Sequence, residues 1–357
     1  MSPSWRSTRL GAALDLKRGY DLPQQSRRRG NVPIVSSSGV KGTHDEPRVK
    51  APGVVIGRYG TLGEVFYVRD DFWPLNTTLY VRDFKGNDPR FISYLLQTVD
   101  VLAYSDKAAV PGINRNHVHD AVVDIPPLGQ QRRIAEILGA LDDKIELNRR
   151  MNETLEAITR TVFKAWFIDH ETVREDAWIA KTWGDLVTLE YGKSLQNYNE
   201  SEGQYAVYGT NGLIGRTAQP LCRHEGIIIG RKGAYRGIHF SAGPFFAIDT
   251  AFYVEPKVPL EMRWAYYEML RLDINGMDSG SAIPSTSRGD FYALPVLEPP
   301  IDLQRSFVSR LSPAWERQRA NEAENSILSQ LRDTLLPKLL SGEIRVGAAE
   351  REVAEVV

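Results

Sequence analysis

Two sets of loop residues carry side chains whose hydrogen-bonding groups match the edges of nucleic-acid bases. Arg and Lys can bind guanine, Asn and Gln can bind adenine, and Ser and Thr can bind either base. Such side chains are most useful on loops that rigid strands hold in place. The first set is Ser36, Ser37, Ser38, Lys41, Arg58, Tyr59, Asn76, Thr77, Asn114 and Arg115. The second set is Thr210, Asn211, Arg231, Lys232, Tyr235, Arg236, Ser285, Thr286 and Arg288.

Some of these residues occupy equivalent places in the two sets. Arg58 and Arg231 each follow an apolar run and a glycine, so each either clamps a phosphate or ties its loop to its own domain. Arg115 and Arg288 are also matched, and each either contacts a phosphate or has a structural role in its own domain. The run Arg27–Arg29 is either a solvated loop or a phosphate contact. Residues that differ between the sets are better candidates for base readout, because phosphate contacts carry no sequence information.

The sequence contains none of the motifs of catalysis or cofactor binding that we considered. It has no G-x-x-x-x-G-K-[ST] loop for nucleotide phosphates. It also has no Asn-Pro-Pro or Asp-Pro-Pro followed by an aromatic residue, with which an amino-methyltransferase would hold a flipped base. The six histidines show no metal-ligand spacing, and the single cysteine, Cys222, argues against a disulfide framework and a cysteine-based metal site. We therefore predict a non-catalytic chain that binds no metal and no cofactor itself.

These candidate residues lie in an internal repeat with a constant offset of 173 residues. The offset joins Trp5 to Trp178, Gly19 to Gly192, Arg58 to Arg231, Gln131 to Gln304, Asn148 to Asn321, and Asn152 to Asn325. Between the matched blocks the residues differ freely. The repeat predicts two units that fold alike and recognise different targets.

Composition and charge limit the class of protein. The chain has 357 residues, of which 42% are hydrophobic and 25% charged, enough for at least two cores. It lacks an apolar run typical of a signal peptide or a membrane span, so we expect a cytoplasmic chain without membrane contact. The net charge is −1, with 17 basic and 13 acidic residues in 1–128 against 12 and 16 in 171–301. A DNA-binding chain of this kind would need local basic patches and a basic partner.

Each half combines a region of strands and turns with a helix. Short apolar runs separated by Gly, Pro, Asn and Asp fill residues 1–128 and 171–301, which indicates mixed α and β structure. Helical periodicity fills residues 129–170 and 302–346, and residues 347–357 have the composition of a flexible tail. The predicted fold class is α+β, with two similar mixed α/β domains separated by two long helices.

The two helices are predicted to form an antiparallel coiled coil. Apolar residues and asparagines fall seven apart on two tracks from residue 130 to 167, which predicts a helix of roughly 57 Å. Pairing residues whose numbers add to 473 brings Asn148 to Asn325 and Asn152 to Asn321, among mostly apolar pairs. Buried amide pairs fix the register at a cost in stability. Alternatively, the asparagines face solvent or a partner protein, or the helices are parallel.

The helices also carry a family resemblance. Residues 126–167, PPLGQQRRIAEILGALDDKIELNRRMNETLEAITRTVFKAWF, resemble the central conserved region of specificity subunits of type I restriction-modification systems. Residues 331–346, LRDTLLPKLLSGEIRV, resemble the C-terminal conserved helix of the same subunits. The plan of a variable domain followed by a conserved helix, twice over, covers nearly the whole chain.

The resemblance implies separate roles for the variable domains, the long helices and the partner subunits. Each variable domain would be a target recognition domain for one half of a split double-stranded DNA sequence. The helices would set the gap between the half-sites, so that one or two heptads inserted into either helix would lengthen it. They would also dock two modification subunits, which bind S-adenosylmethionine and methylate adenine. Restriction subunits that cut DNA and hydrolyse ATP with Mg²⁺ would join the same complex, and the specificity subunit would perform no catalysis.

A different class of function remains open from the sequence. The chain could be a scaffold with two protein-binding domains on a coiled-coil spacer, which the weak net charge and the acidic second half favour. The two helical sequences and the divergent loops between matched strands favour DNA recognition instead. A nuclease is a third alternative, and the missing catalytic motifs argue against it.

Overall fold

The computed structural model describes residues 5–104, 112–169, 178–198, 203–277 and 284–355. These residues form two compact units, Met1–Arg150 with Ala320–Val357 and Met151–Arg319. The predicted linear division into domains differs from this one, because each unit includes a part of both long helices. The predicted boundary between residues 170 and 171 lies outside the described residues, as do the last two residues of the predicted tail.

Nine short strands build the sheets in the described part of the first unit. They are β1 (Arg6–Arg9), β2 (Asp15–Arg18), β3 (Val32–Ser36), β4 (Gly39–His44), β5 (Gly53–Gly57), β6 (Val65–Val68), β7 (Trp73–Pro74), β8 (Thr78–Asp83) and β9 (Val122–Ile125). A four-stranded antiparallel sheet has the order β2-β8-β5-β6. A second sheet has the order β4-β3-β7, in which β3 and β7 are parallel, and β1 pairs with β9. Every residue of β5, GVVIG, is buried because the strand lies inside its sheet.

The second unit contains nine further strands. They are β10 (Ile179–Thr182), β11 (Val187–Tyr191), β12 (Tyr205–Gly209), β13 (Gly212–Thr217), β14 (Gly226–Gly230), β15 (Ile238–Ser241), β16 (Phe245–Ala247), β17 (Ala251–Pro256) and β18 (Pro295–Glu298). Their sheets have the orders β11-β17-β14-β15, β13-β12-β16 and β10-β18. Seven of them, β10, β12, β13, β14, β15, β17 and β18, begin 173 residues after their counterparts in the first unit. Both units therefore have the same sheet topology, at the spacing of the sequence repeat.

Helices complete both units. They are α1 (Leu10–Ala13), α2 (Pro89–Thr98), α3 (Arg115–His119), α4 (Leu128–Phe167), α5 (Trp183–Leu186), α6 (Met262–Met269), α7 (Arg288–Ala293), α8 (Ile301–Ser341) and α9 (Val346–Ala354). Two 3-10 turns, Gln24–Ser26 and Val101–Tyr104, lie in the first unit. The long helices α4 and α8 have 40 and 41 residues, which corresponds to about 60 Å at the usual rise per residue. None of the helices in the described part of the chain combines the length and the apolar character needed to cross a membrane.

The long helices are antiparallel in the first unit. Leu138 of α4 and Leu335 of α8 belong to one buried core, and the Asn148 side chain donates a hydrogen bond of 2.9 Å to that of Asn325. The predicted pairing of Asn148 with Asn325 is confirmed. Asn148 and Asn321 are both fully buried, so these two asparagines do not face solvent.

The same direction of pairing occurs within the second unit. The rings of Trp166 and Phe307 lie 6.3 Å apart, as the predicted register requires. The Asn152 side chain donates to the Gln318 carbonyl at 3.2 Å, and the Gln318 side chain donates to the Asn152 carbonyl at 3.1 Å. The polar contacts near the middle of the helices therefore involve both side-chain and backbone amides.

The prediction of a flexible tail is wrong for residues 347–354. These residues lie in α9, whose Val346, Ala349 and Val353 belong to the core of the first unit. Arg133 of α4 binds both carboxylate oxygens of Glu350 at 2.8 and 2.9 Å. The three apolar residues have helical spacing, which buries one face although the segment is rich in charge.

Candidate nucleic-acid interface

Three of the predicted loops of the first unit meet at the end of β5. The backbone N–H groups of Arg58 and Tyr59 donate to the Thr77 carbonyl at 2.9 and 3.1 Å. The Ile113 N–H donates to the Arg58 carbonyl at 3.1 Å. These bonds bring residues near 58, 77 and 114 together, although they are far apart in sequence.

The second unit repeats the same hydrogen bonds at the end of β14. The N–H groups of Arg231 and Lys232 donate to the Thr250 carbonyl at 2.9 and 3.3 Å, and the Thr286 N–H donates to the Arg231 carbonyl at 2.9 Å. Every donor and acceptor lies 173 residues after its counterpart. We call this set of backbone hydrogen bonds the loop framework.

Glycines are required where each strand enters its loop framework. A Cβ atom on Gly57 would lie 2.0 Å from the Thr61 carbonyl oxygen, and one on Gly230 would lie 2.4 Å from the Thr210 carbonyl oxygen. A side chain at either position would therefore displace the loop backbone. In the first unit the Ser37 carbonyl also lies 3.1 Å from that added Cβ, which places the loop at residues 36–38 beside the framework.

An arginine stacks on an aromatic ring at the equivalent place in each unit. The Arg58 guanidinium lies 4.5 Å from the centre of the Tyr59 ring and donates to the Ile113 carbonyl at 3.3 Å. The Arg231 guanidinium lies 4.7 Å from the centre of the Tyr191 ring and donates to the Asp249 carbonyl at 3.0 Å. Both arginines are partly exposed, so each is oriented by its own domain and still reaches solvent.

Tyr191 is a residue that the sequence analysis missed. Its exposed ring contacts two arginines, because the Arg288 guanidinium lies 5.1 Å from the ring centre in addition to that of Arg231. Arg288 also donates to the Tyr292 hydroxyl at 3.3 Å, and hydrogen bonds to Tyr292 and Tyr191 raise the pKa of Arg288. The sequence repeat did not point to Tyr191, because the residue 173 positions earlier is Arg18, which has no aromatic ring.

The prediction that Arg236 contacts DNA is wrong. This side chain is only 4% exposed. Its guanidinium donates hydrogen bonds to four backbone carbonyls, those of Gly233, Ile274, Asn275 and Met277. Arg236 therefore holds two loops of the second unit together.

Three predicted hydroxyl residues are also buried. Ser36 and Ser37 are each 8% exposed, and Thr286 is 4% exposed. The Ser36 hydroxyl donates to the Gly39 carbonyl at 2.9 Å, and the Thr286 hydroxyl donates to the Gly230 carbonyl at 2.8 Å. The structure corrects the prediction for these residues, because they shape the loops and expose little surface to a ligand.

The other predicted residues lie at or near the surface. Several have partners within their own unit: the Asn76 amide donates to the Asp21 carboxylate, Asn114 caps α3, and the Thr210 hydroxyl lies 2.6 Å from the Lys232 carbonyl oxygen. Tyr235 is 81% exposed. The exposed residues are Ser38, Lys41, Arg115, Asn211, Lys232 and Tyr235. The partly exposed residues are Arg58, Tyr59, Asn76, Thr77, Asn114, Thr210, Arg231, Ser285 and Arg288.

A buried glutamine joins each globular region to a long helix. Gln131 of α4 donates to the Pro126 carbonyl at 2.9 Å and accepts from the Asp88 N–H at 2.9 Å. Gln304 of α8 makes the equivalent bonds, to the Pro299 carbonyl at 2.9 Å and from the N–H of residue 261 at 3.0 Å. These two contacts fix the start of each helix against its own globular region.

Known proteins with sequences similar to this chain are specificity subunits of type I restriction enzymes. Residues 4–157 match the family model described as the type I restriction modification DNA specificity domain. The type I restriction enzyme MjaIX specificity subunit of Methanocaldococcus jannaschii is 24% identical over 318 residues, which cover 76% of this chain and 74% of that protein. The HindI specificity subunit of Haemophilus influenzae is 38% identical over 95 residues, or 25% of this chain and 21% of that protein.

A solved structure has the same fold. The S subunit of a type I restriction-modification system from M. genitalium superimposes with a TM-score of 0.66 at 19% identity, covering 95% of this chain and 99% of that one. The chain thus shares the fold of that structure, and in sequence it is similar to the specificity subunits of type I restriction-modification systems.

Proposed function

We propose that this chain recognises a two-part sequence in double-stranded DNA on behalf of a type I restriction-modification complex. The observation that supports this most is that both units have the same loop framework but different exposed side chains. A shared framework presents loops in the same way to two half-sites. Different side chains on it let each unit read different bases.

The residues that we propose to read bases form two groups, one for each half-site. Base readout requires donors and acceptors that differ between the units. For the first half-site we propose Ser38, Lys41, Tyr59, Asn76, Thr77 and Asn114. For the second half-site we propose Thr210, Asn211, Lys232, Tyr235 and Ser285.

The matched arginines suit contacts to the DNA backbone. Arg58 and Arg231 are held on aromatic rings and backbone carbonyls, so little conformational entropy is lost when they bind a phosphate. Arg115 and Arg288 begin equivalent helices and are proposed for the same role. Because the whole chain has a net charge of −1, partner subunits would supply a large share of the phosphate contacts.

The long helices are proposed to act as the spacer and the docking surface. A helix of 40 residues is long enough to separate half-sites whose centres lie about one turn of DNA apart, roughly 34–36 Å. Their outward charged faces would dock two modification subunits, and restriction subunits would join the same complex. In this proposal S-adenosylmethionine belongs to the modification subunits and ATP with Mg²⁺ to the restriction subunits, while this chain performs no catalysis.

The test is recovery of the tagged full-length chain from its native cells, with identification of bound proteins by mass spectrometry and sequencing of bound DNA. We expect an adenine methyltransferase at about two copies per chain, and DNA fragments that share a two-part motif. Other proteins without a methyltransferase or a DNA motif would support the scaffold and overturn the proposal.

A pair of matched variants makes the test sharper. In cells with the partner methyltransferase, Tyr59→Ala should change the base sequence required for methylation in one half-site only. Lys232→Ala, at the equivalent position, should change the required sequence of the other half-site only. Sequencing of methylated adenines measures both outcomes, and a variant that altered both half-sites alike would contradict independent readout.

A further inference from the structure

A cysteine, a histidine and a glutamate of the second unit place one potential metal-ligand atom each within 4.8 Å of one another. The Cys222 sulfur lies 3.5 Å from the His224 Nε2 atom. That same nitrogen lies 3.3 Å from a carboxylate oxygen of Glu255. The set stands apart from the residues proposed to bind DNA.

Separate elements hold these three residues in place. Cys222 lies in the connection between β13 and β14, where its backbone exchanges hydrogen bonds of 2.9 and 3.0 Å with Phe245 of β16. Glu255 lies on β17, in the four-stranded sheet. Cys222 is buried, Glu255 is partly exposed and His224 is exposed, so the set opens to solvent on one side.

The hydrogen bonding of His224 favours a cation at this place. Its Nδ1 atom lies 2.7 Å from the Glu225 carbonyl oxygen. Because a carbonyl only accepts, Nδ1 must carry the proton in that bond, and in neutral imidazole Nε2 then has a free lone pair. Nε2 lies 3.3 Å from the Glu255 carboxylate, so a metal ion placed between these two atoms would have a ligand on either side. A backbone carbonyl on the second ring nitrogen is also the usual partner of a metal-binding histidine.

The distances agree with tetrahedral coordination of zinc. Zinc binds Cys sulfur at about 2.3 Å and His nitrogen or carboxylate oxygen at about 2.0–2.1 Å. In a regular tetrahedron those bond lengths separate sulfur from nitrogen by about 3.5 Å and nitrogen from oxygen by about 3.3 Å. The observed separations are 3.5 Å from the sulfur to either ring nitrogen and 3.3 Å from Nε2 to the carboxylate oxygen, so the exposed His224 ring would turn to direct Nε2 at an ion shared with the sulfur.

We propose that Cys222, His224 and Glu255 bind one Zn²⁺ ion, with water as the fourth ligand. Binding replaces the thiol proton of Cys222 by the metal, and that proton leaves to solvent. The ion would join the β13–β14 connection to β17, and so one sheet of the unit to the other. The prediction that the chain has no metal site rested on its single cysteine and on the spacing of its six histidines. The proposed set uses one cysteine and one histidine, at a Cys-x-His spacing that the sequence analysis did not consider.

The first unit lacks the set and supplies matched replacements. The residues 173 positions earlier are Val49, Ala51 and Arg82. Val49 makes the same backbone pairing, with Phe72, that Cys222 makes with Phe245. Cys222→Val and His224→Ala therefore introduce residues that the same backbone accepts in the other unit.

The experiment uses the full-length chain, stripped of metal with a chelator and then titrated with Zn²⁺. We expect one ion bound per chain, release of a proton, and an increase in thermal stability. Titration with Co²⁺ should give a sulfur-to-cobalt charge-transfer band. Zn²⁺ affinity should increase with pH, because the Cys222 thiol must lose its proton on binding.

Variants distinguish a metal site from an ion pair between His224 and Glu255 that holds no metal. Cys222→Val should abolish the charge-transfer band, and His224→Ala should weaken Zn²⁺ binding at least about tenfold. His117→Ala, which removes an exposed histidine of the first unit, is the control and should change neither. His224 is exposed, so its replacement keeps the test valid even if Cys222→Val fails to fold. No binding by the unaltered chain, or equal binding by His224→Ala, would overturn the proposal.

Discussion

The Asn148 side chain of α4 donates a hydrogen bond of 2.9 Å to the Asn325 side chain of α8. Asn148 is fully buried, and its amide nitrogen also lies 2.7 Å from the Glu324 carboxylate. Asn325 in turn donates to the Ile145 carbonyl at 3.4 Å. A shift of one helix along the other would break all of these bonds, so the amide pair fixes the register.

Removal of one asparagine should therefore cost more than removal of both. Asn148→Leu leaves the partner amide without its bond, and we expect a loss of about 1–3 kcal/mol. Asn148→Leu with Asn325→Leu should recover part of that loss, because two apolar side chains replace the polar pair. Thermal unfolding of the single and double variants measures the coupling, and strictly additive losses would show that the two amides act separately.

The buried glutamines should be the most sensitive polar residues of the long helices. Gln131→Leu leaves the Pro126 carbonyl and the Asp88 N–H without their partner, at about 1–3 kcal/mol for each buried group. Gln304→Leu should do the same in the second unit. Gln330→Leu, on the exposed side of α8, is the control and should change the melting temperature little. Equal melting temperatures for all three variants would contradict this assignment.

Arg236 and Lys232 should affect stability and DNA binding in opposite ways. Arg236→Met removes the donors of four hydrogen bonds to carbonyls, so we expect a loss of about 3 kcal/mol or more from the second unit. Lys232→Ala removes an exposed cation that we propose to read a base, and it should lower the affinity for the matching half-site sequence without a change in stability. Calorimetry and DNA titrations of the assembled complex measure the two effects. A folded Arg236→Met protein with wild-type stability would contradict the structural role.

The spacer function can be tested by helix length. Seven residues inserted into both α4 and α8, near Asn148 and Asn325, keep the heptad pattern and add about 10 Å to each helix. We expect the gap between the half-sites to grow by about three base pairs, at about 3.4 Å per base pair, while the half-site bases stay the same. Sequencing of methylated DNA measures the gap. A change in the half-site bases instead would show that the helices do not act as a ruler.

Much of the architecture could be predicted from local sequence signals. The constant repeat offset predicted two similar units, and the heptad positions of Asn148 and Asn325 predicted the antiparallel register. Both signals depend on periodicity, which a single sequence contains in full. The resemblance of the helices to a known family supplied the expectation about function.

The errors concern residues whose role depends on contacts distant in sequence. Arg236 was predicted to be a loop residue that binds DNA, but its guanidinium donates to the carbonyls of Ile274, Asn275 and Met277, about 40 residues further along the chain. Tyr191 became relevant only beside Arg231 and Arg288, which lie far away along the chain. The tail was misjudged because its segment is rich in charge, and only the core of the first unit shows that Ala349 and Val353 are buried in it.

The discontinuous first unit has a consequence for biosynthesis. Residues 1–150 emerge from the ribosome before Ala320–Val357, which complete the same unit. Roughly 170 residues separate the two segments, and at about 5–20 residues per second their synthesis takes about 10–30 s. During that interval Ile134 and Leu138 lack Leu335 and Leu339, which share their core. An apolar face of α4 is therefore uncovered and open to aggregation during that interval. The second unit can finish folding before the first.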